Sequence, residues 1–300
     1  METKVTNVTR TLSCPSGEPG HVGRRVFSKG TWSFFRCGQC RHLWTDPIPT
    51  EQELAAYYDR GYFFGDPDKR GYTDYDEDKK SVAGDFQKSL DRLASLKPQR
   101  GWLLDIGAAT GFFIQLARTM GWRVSGVELS NDAALIAQQR GLDVVQGTLE
   151  EHLERFRQVD VVTMWDVVEH IREPFAFFKE VRGCLAPDGL LMFGTPQGDS
   201  LFARVMGRYW TLIAPPQHIH YFSLESITRA LNNAGFEIVD IEWRGKEFPL
   251  SYILHFIMGW WNVRWSWLKR LSEWKPLTKV RLRINPRDSM VVIARPARSS

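Results

Sequence analysis

An acid and several small residues stand close together between Leu103 and Phe113, where the sequence reads LLDIGAATGFF. Asp105 is followed at two-residue intervals by small residues: Gly107, Ala109 and Gly111. Small residues let another group approach the backbone closely, and a carboxylate beside them can pair with a ligand ammonium. A dinucleotide loop of the form Gly-x-Gly-x-x-Gly would place its third glycine at Phe112, where the ring obstructs close helix–strand packing. The stretch therefore favours a ligand that lacks a pyrophosphate.

A second acid, Glu128, ends the next apolar run, seventeen residues after Gly111. A carboxylate at the end of a strand can accept hydrogen bonds from both hydroxyls of a ribose. Two acids at the ends of consecutive strands, on either side of a small-residue loop, indicate a site for a nucleoside with an amino-acid tail. The alternatives are a structural strand–helix turn and a solvated loop carboxylate.

Strands and helices must alternate to position these residues. Apolar runs predict five strands, over Trp102–Ile106, Arg123–Val127, Asp143–Val145, Asp160–Met164 and Leu190–Gly194. Helical spacing predicts helices over Lys79–Leu96, Phe112–Met120, Asp132–Arg140 and Pro174–Leu185. This alternation predicts right-handed βαβ units, and hence an α/β fold with a doubly wound parallel sheet covered on both faces.

The spacing Asp105-x-Gly107-x-Ala109-x-Gly111 resembles the glycine-rich motif of class I S-adenosylmethionine (SAM)-dependent methyltransferases, with Ala109 in place of its central glycine. Three later stretches are similar to motifs of the branch that includes the ubiquinone-type O-methyltransferases: Val159–Pro174, Leu185–Leu190 and Thr195–Gln197. The resemblance implies a Rossmann-like class I sheet, SAM as the cofactor and methyl transfer as the activity.

The same resemblance implies which residues contact SAM. Asp105, Gly107 and Gly111 are implied to contact the methionine end of SAM, and Glu128 its ribose. The turn that holds Thr148 and Leu149 is implied to contact adenine, and Trp165 and Asp166 are implied to form the floor near the methyl group. Three neighbouring residues complete the implied set: Ala108, Phe112 and Leu129.

Histidines near these motifs could act as a base, because a hydroxyl acceptor benefits from a group with a pKa near neutral. His218 is the first candidate for this catalytic role and His170 the second. His218 and His220 alternate within one stretch, which predicts that their side chains share a face. For each histidine the alternative is a structural one, orienting a loop by hydrogen bonds.

The stretch that ends in His170 also admits a metal. Asp166, Glu169 and His170 resemble a Glu-x-x-Glu-His stretch that can hold a divalent cation in ubiquinone-type O-methyltransferases. Two carboxylates and an imidazole suit Mg²⁺. The alternative is that Glu169 and His170 hold the helix that follows.

Three cysteines near the N-terminus resemble the zinc ribbon that some of these methyltransferases carry: Cys14, Cys37 and Cys40. Gly17 stands where a fourth thiolate is expected, so His21 or His42 would have to complete a tetrahedral site. Two interpretations stay open, a structural zinc ion and a degenerate ribbon held by its aromatic residues without metal.

A tryptophan-rich, basic segment lies near the C-terminus. Between Asn262 and Arg298 ten Lys or Arg residues face two acids, and five apolar residues share one helical face: Trp260, Val263, Trp267, Leu271 and Trp274. Such a helix can serve as a substrate lid, as a seam in a homodimer, or as a peripheral membrane contact through residues 259–287. The apolar run Met290–Arg295 predicts a final strand.

These features predict three parts: a zinc-ribbon-like module and linker (1–60), a SAM-dependent methyltransferase domain (61–245), and a Trp-rich basic helical insert with a final strand (246–300). The expected acceptor is a small molecule, a sugar or a lipid-linked compound, methylated at oxygen. A nucleic-acid methyltransferase and a non-catalytic SAM-binding scaffold are the alternatives. No nucleic-acid partner is expected, because no Asn/Asp-Pro-Pro-Tyr/Phe motif follows the fourth strand. No secretory signal is recognisable, so the expected location is cytoplasmic, peripheral to the membrane if the tryptophan-rich helix binds lipid.

Overall fold

The computed structural model describes residues 11–50, 52–54, 82–250 and 280–298. A small antiparallel sheet begins the chain with β1 (Thr11–Ser13), β2 (Val22–Lys29), β3 (Trp32–Cys37) and β4 (Leu43–Asp46). The fifth strand of this sheet, β10 (His220–Tyr221), comes from far along the sequence and pairs with β4. The N-terminal sheet is therefore joined by backbone hydrogen bonds to the segment that carries His218.

The larger layer alternates helices and strands. Its first half contains α1 (Ala83–Leu96), β5 (Trp102–Ile106), α2 (Phe112–Thr119), β6 (Arg123–Glu128), α3 (Asn131–Gln139) and β7 (Val144–Gln146). Its second half contains β8 (Val159–Trp165), α4 (Pro174–Cys184), β9 (Leu185–Pro196), α5 (Leu201–Met206), α6 (Leu224–Asn233), β11 (Phe236–Trp243) and β14 (Ser289–Pro296). Three short 3-10 turns lie between them, at Glu150–His152, Val168–His170 and Gly207–Tyr209.

The seven-stranded sheet has the order β11-β14-β9-β8-β5-β6-β7. Strands β5 to β9 run parallel, as the sequence predicts, whereas β14 is antiparallel to both of its neighbours. The sheet is therefore mixed, not parallel throughout. In β9, Leu185 pairs with Val159 and Leu190 with Val161, so the intervening Ala186–Gly189 loop out of the ladder as a bulge.

Apolar side chains cover both faces of this sheet. Leu103 and Leu104 are adjacent in β5 and fully buried in different clusters, because neighbouring strand residues point to opposite faces. Helices α1, α2 and α3 contribute to the Leu103 cluster, and α4 and α6 to the Leu104 cluster. Since all five parallel strands end at the same edge of the sheet, the residues at their carboxyl ends are brought together there.

The C-terminal region is described only in part. Strand β14 confirms the predicted final strand, and the short strands β12 (Lys246–Pro249) and β13 (Arg281–Ile284) pair ahead of it. The predicted tryptophan-rich helical face, from Trp260 to Trp274, lies outside the described residues, so the cap remains a prediction. The domain boundaries at 60 and 245 also remain predictions. Among the described helices, none is long and apolar enough to cross a bilayer.

Candidate cofactor and acceptor site

The small-residue loop between β5 and α2 is shaped by close packing within the protein. Gly107 and Gly111 have φ values of +75° and +86°, which favour glycine. A Cβ on Gly107 would lie 2.5 Å from Cγ2 of Val167, and one on Gly111 would lie 2.3 Å from Cδ1 of Leu142. The close approach that the sequence predicts is therefore made, at these two positions, by the protein's own side chains.

Glu128, the last residue of β6, holds this loop in place. Its buried carboxylate accepts N–H groups from Ala109 at 2.7 Å and from Ser130 at 2.8 Å. Ala109 has φ of +48°, an unfavourable value for a residue with a Cβ, and the bond to Glu128 offsets that cost. Burial raises the pKa of the Glu128 carboxyl, while the N–H donors oppose the shift. Each oxygen keeps a second lone pair, which leaves the predicted ribose contact chemically feasible.

Asp105 lies at the end of the neighbouring strand β5 and is 2% exposed. Its Oδ1 accepts the hydroxyl of Thr163 from β8 at 2.6 Å, which fixes the carboxylate across two paired strands. Sequence reasoning did not single out Thr163. A polar residue in the middle of the largely apolar strand Val159–Trp165 is the signal that could have identified it.

The Trp165 indole at the carboxyl edge of the seven-stranded sheet carries a buried polar group that a ligand could satisfy. The indole packs against Phe86 and Phe113, with ring centroids 5.4 and 5.2 Å away. Its Nε1–H is buried and has no hydrogen-bond acceptor among the described residues. A buried donor without an acceptor is costly, so a polar ligand atom beside the indole would fit the site.

The other implied SAM residues occupy varied environments. Ala108 is buried and packs near Gly126, whose added Cβ would lie 2.7 Å from that of Ala108. Leu149 is buried in the core, and Leu129 is 42% exposed. Exposed or partly exposed residues make up the remainder: Phe112, Thr148 and Asp166. Which of these residues touch SAM stays a prediction.

A cluster of Glu169, His170 and His218 lies just beyond β8. Their metal-capable atoms all lie within 4.8 Å of one another, and the two imidazole rings meet edge to face with centroids 4.8 Å apart. Thr195, from β9, donates its hydroxyl to Glu169 Oε2 at 3.0 Å. The chain segments that form the cluster are therefore the 3-10 turn after β8, the end of β9 and the loop before β10.

Backbone carbonyls set the orientation of both rings. The Nδ1–H of His170 donates to the carbonyl of Gln217 at 2.8 Å, and that of His218 donates to the carbonyl of Leu212 at 2.9 Å. In a neutral ring with the proton on Nδ1, the lone pair belongs to Nε2. Burial and the neighbouring His218 lower the pKa of His170 to about 3, so His170 is neutral at physiological pH.

His220 contacts His42, whereas His218 contacts His170. The Nδ1 of His220 lies 3.0 Å from Nε2 of His42 within a fully buried pair, and the Nε2 of His220 donates to the carbonyl of Arg172. His218 instead contacts His170, because it lies in the loop before the two-residue strand β10. The predicted magnesium ligands also differ from the observed cluster, which includes His218 and not Asp166. A cation there stays a prediction.

The three N-terminal cysteines lie close to His21. All three are free thiols, and one ligand atom from each of Cys14, His21, Cys37 and Cys40 lies within 4.8 Å of the others. The sulfurs of Cys14 and Cys40 are 3.7 Å apart. Two sulfurs bound to one tetrahedral zinc ion, at about 2.3 Å each, lie about 3.8 Å apart.

His21 is consequently the fourth ligand that the geometry supports, since His42 is engaged with His220. The Nε2 of His21 lies 3.2 Å from a Glu18 carboxylate, an arrangement common behind metal-bound histidines. The hydrogen bond between the two sulfurs lowers the pKa of the Cys14 thiol and raises the pKa of Cys40, so the pair loses its first proton at Cys14. These residues fit a structural zinc ion, and its occupancy stays a prediction.

Comparison with known proteins places the larger layer in a family. Residues 78–241 match the model of a family described as "Methyltransferase domain". A ubiquinone biosynthesis O-methyltransferase of Cereibacter sphaeroides is 28% identical over 171 residues, which cover 53% of this chain and 68% of the relative. The corresponding Salmonella paratyphi A enzyme is 28% identical over 127 residues, 39% of this chain, and the match spans about half (52%) of that enzyme's length.

A solved structure supports the fold. Magnesium protoporphyrin IX methyltransferase from Synechocystis PCC 6803, with bound SAH, superposes with a TM-score of 0.53 at 15% sequence identity. The superposition covers 82% of this chain and 99% of that protein. The chain therefore belongs to this methyltransferase-domain family, and it is a SAM-dependent methyltransferase.

Proposed function

We propose that the chain transfers the methyl group of SAM to an oxygen atom of a small-molecule, sugar or lipid-linked acceptor. The observation that carries this proposal is the Glu169, His170 and His218 cluster at the carboxyl edge of the sheet. A neutral imidazole in such a place can remove a proton from a hydroxyl as the oxygen attacks. The O-methyltransferase relatives support the choice of oxygen.

The cofactor side of the site provides binding and orientation. SAM, when bound, supplies an electrophilic methyl group on a sulfonium. Glu128 and Asp105 would accept hydrogen bonds from the nucleoside and the amino-acid tail, and Trp165 would line the methyl end. Because positioning of the reactants contributes much of the rate in such displacements, the rigid packing of Gly107 and Gly111 supports catalysis indirectly.

The acceptor side handles the proton. His218 takes the proton of the acceptor hydroxyl at Nε2 while its Nδ1–H stays bonded to the carbonyl of Leu212. The oxygen gains the methyl group as the hydroxyl proton moves to the ring, so one proton is released to solvent in each turnover. The carboxylate of Glu169, within 4.8 Å of His218 across the cluster, stabilises the imidazolium that forms.

A panel of acceptors tests this proposal. Phenols, sugar nucleotides and polyprenyl-linked sugars would be incubated with SAM, and each product examined by mass spectrometry for a gain of one methyl group. Fragmentation then identifies the methylated atom. An O-methylated product supports the proposal. Methylation only at nitrogen, carbon or sulfur would overturn the assignment of oxygen, while leaving the methyltransferase family untouched.

A further inference from the structure

Helix α5 and the 3-10 turn that follows it expose a row of apolar side chains. Leu201, Val205 and Tyr209 are 76%, 62% and 60% exposed. Leu201 and Val205 are four residues apart and so lie on one side of α5, and Tyr209 follows in the 3-10 turn, after Gly207 ends the helix with φ of +51°. The opposite side is anchored: Ala203, Met206 and Trp210 are buried in a cluster with Phe34 and Tyr221. The apolar row is therefore held outward by a well-packed base.

Arginines lie directly beside this row. Arg204 and Arg208 are exposed, and no acidic residue occurs between Ser200 and Trp210. The Arg208 guanidinium lies 4.9 Å from the centroid of the Tyr209 ring and donates to its hydroxyl at 2.8 Å. A guanidinium is thus fixed at the edge of the apolar row.

The neighbouring strand continues the positive charge. Strand β2 contacts the 3-10 turn and carries two exposed arginines, Arg24 and Arg25, with no acid along its length. Aliphatic and aromatic side chains bordered by arginines suit the boundary of a bilayer with anionic headgroups, because the apolar groups enter the acyl boundary while guanidinium groups pair with phosphates. A neutral protein partner would leave the charges of the arginines unpaired.

We propose that the surface formed by Leu201, Val205 and Tyr209 with Arg204 and Arg208 docks on an anionic lipid bilayer, with α5 lying in the plane of the interface. The loop from Trp210 to His218 leads from this surface to the histidine cluster, so docking would place the acceptor side of the site beside the membrane. Docking is independent of which atom is methylated, and it can be measured without any methyl transfer.

Vesicle sedimentation tests the proposal. The full chain would be mixed with vesicles of phosphatidylcholine alone or of equimolar phosphatidylglycerol and phosphatidylcholine. We expect binding to the anionic vesicles that weakens at high salt. The triple variant Leu201→Ser/Val205→Ser/Tyr209→Ser should bind at least about tenfold more weakly. Arg204→Gln/Arg208→Gln should lose roughly 25-fold, about fivefold for each arginine.

A matched control separates binding through this surface from nonspecific binding through other exposed apolar residues. Leu135 and Val239 are also exposed apolar residues, on α3 and β11, and Leu135→Ser/Val239→Ser should bind vesicles like the wild type. Unchanged SAM affinity would show that each variant is folded. The proposal would be overturned if the wild-type protein does not bind anionic vesicles at low salt. It would also be overturned if the triple variant binds them as well as the wild type. A wild-type dimer that the triple variant converts to monomer would overturn it too, because the surface would then join two copies.

Discussion

The cofactor side and the acceptor side of this site are built in different ways. On the cofactor side, Asp105 and Glu128 end adjacent strands only 23 residues apart, and backbone N–H groups of the nearby loop fix the Glu128 carboxylate. On the acceptor side, Glu169 and His218 are 49 residues apart, and carbonyls from further loop residues orient the histidines.

This contrast separates two kinds of dependence. The cofactor side depends on strands and loops of the seven-stranded sheet, including the bond from Thr163 to Asp105, so it should tolerate changes in the N-terminal sheet. The acceptor side depends on the N-terminal sheet as well, because β10 pairs with β4 and His220 pairs with His42. Ser223, beside β10, also donates a hydrogen bond to the carbonyl of Cys40. Substitutions that destabilise the N-terminal sheet should therefore disturb the acceptor side more than the cofactor side.

The largest expected effect comes from the cysteine cluster. Protein purified without chelators should contain about one zinc per chain, and Cys37→Ser should lose it and melt at least about 10 °C lower, because structural zinc contributes many kcal/mol to folding. Turnover should fall while SAM affinity changes little. Cys184→Ala removes a buried thiol outside the cluster and should keep its zinc. If metal-free protein is fully folded, the zinc site is wrong and the N-terminal module is held by its aromatic residues without metal.

The base on the acceptor side should show the next largest effect. His218→Asn should lower turnover by about 10²- to 10⁴-fold, because it removes the proton acceptor. SAM affinity, measured by calorimetry, should stay within about twofold of the wild type. Full turnover in this variant would exclude His218 as the base and favour a structural role in orienting its loop.

Glu128→Ala tests the cofactor side. Loss of a charged hydrogen-bond acceptor costs about 1.5–3 kcal/mol, so SAM affinity should fall roughly ten- to a hundredfold. Because Glu128 also holds Ala109, Glu128→Gln should weaken SAM binding less by retaining one carbonyl acceptor. Calorimetry that finds wild-type affinity in Glu128→Ala would contradict the ribose assignment.

Acid should weaken the acceptor side selectively. Burial lowers the pKa of His170 to about 3 and that of His220 to about 4, whereas both bind a proton near pH 6.5 when unfolded. The unfolded chain therefore holds more protons between pH 6.5 and 4, and stability falls as pH falls, by up to about 1.4 kcal/mol per pH unit for each histidine.

Thermal melting between pH 7 and 4 measures this loss. His220→Gln should flatten the dependence by one histidine's share. Glu128→Gln should leave the loss in place, because burial raises the pKa of Glu128 and that shift favours the folded state at low pH. A melting temperature that stays constant from pH 7 to 4 would contradict the neutral, buried histidines.

The smallest expected effect concerns Ala109. Its left-handed backbone costs about 1 kcal/mol relative to glycine, so Ala109→Gly should raise the free energy of unfolding by roughly 0.5–1 kcal/mol with SAM affinity unchanged. Ala108→Gly, at a position without a positive φ, should instead lower stability slightly. Chemical denaturation of both variants gives the comparison, and a destabilised Ala109→Gly would contradict the strain at this position.

Sequence alone predicted the strand ends that carry Asp105 and Glu128 better than the contacts between distant segments, for a physical reason. The strand ends at Asp105 and Glu128 follow from periodicity and turn residues, which are local signals. The choice of His21 over His42 and the pairing of β10 with β4 depend on contacts between distant segments, which spacing does not encode. Leu149 shows a related difficulty, since an apolar residue implied to line the adenine pocket is buried in the core.

The central claim is that the two sides act separately, one binding SAM and the other removing the acceptor proton. It is tested most directly by measuring SAM affinity, and turnover at saturating SAM, side by side in Glu128→Ala and His218→Asn. The account predicts a crossed result, in which Glu128→Ala loses affinity but recovers most of its turnover when saturated, whereas His218→Asn keeps its affinity and loses turnover. If both variants lose affinity and turnover together, the separation of the two sides is wrong.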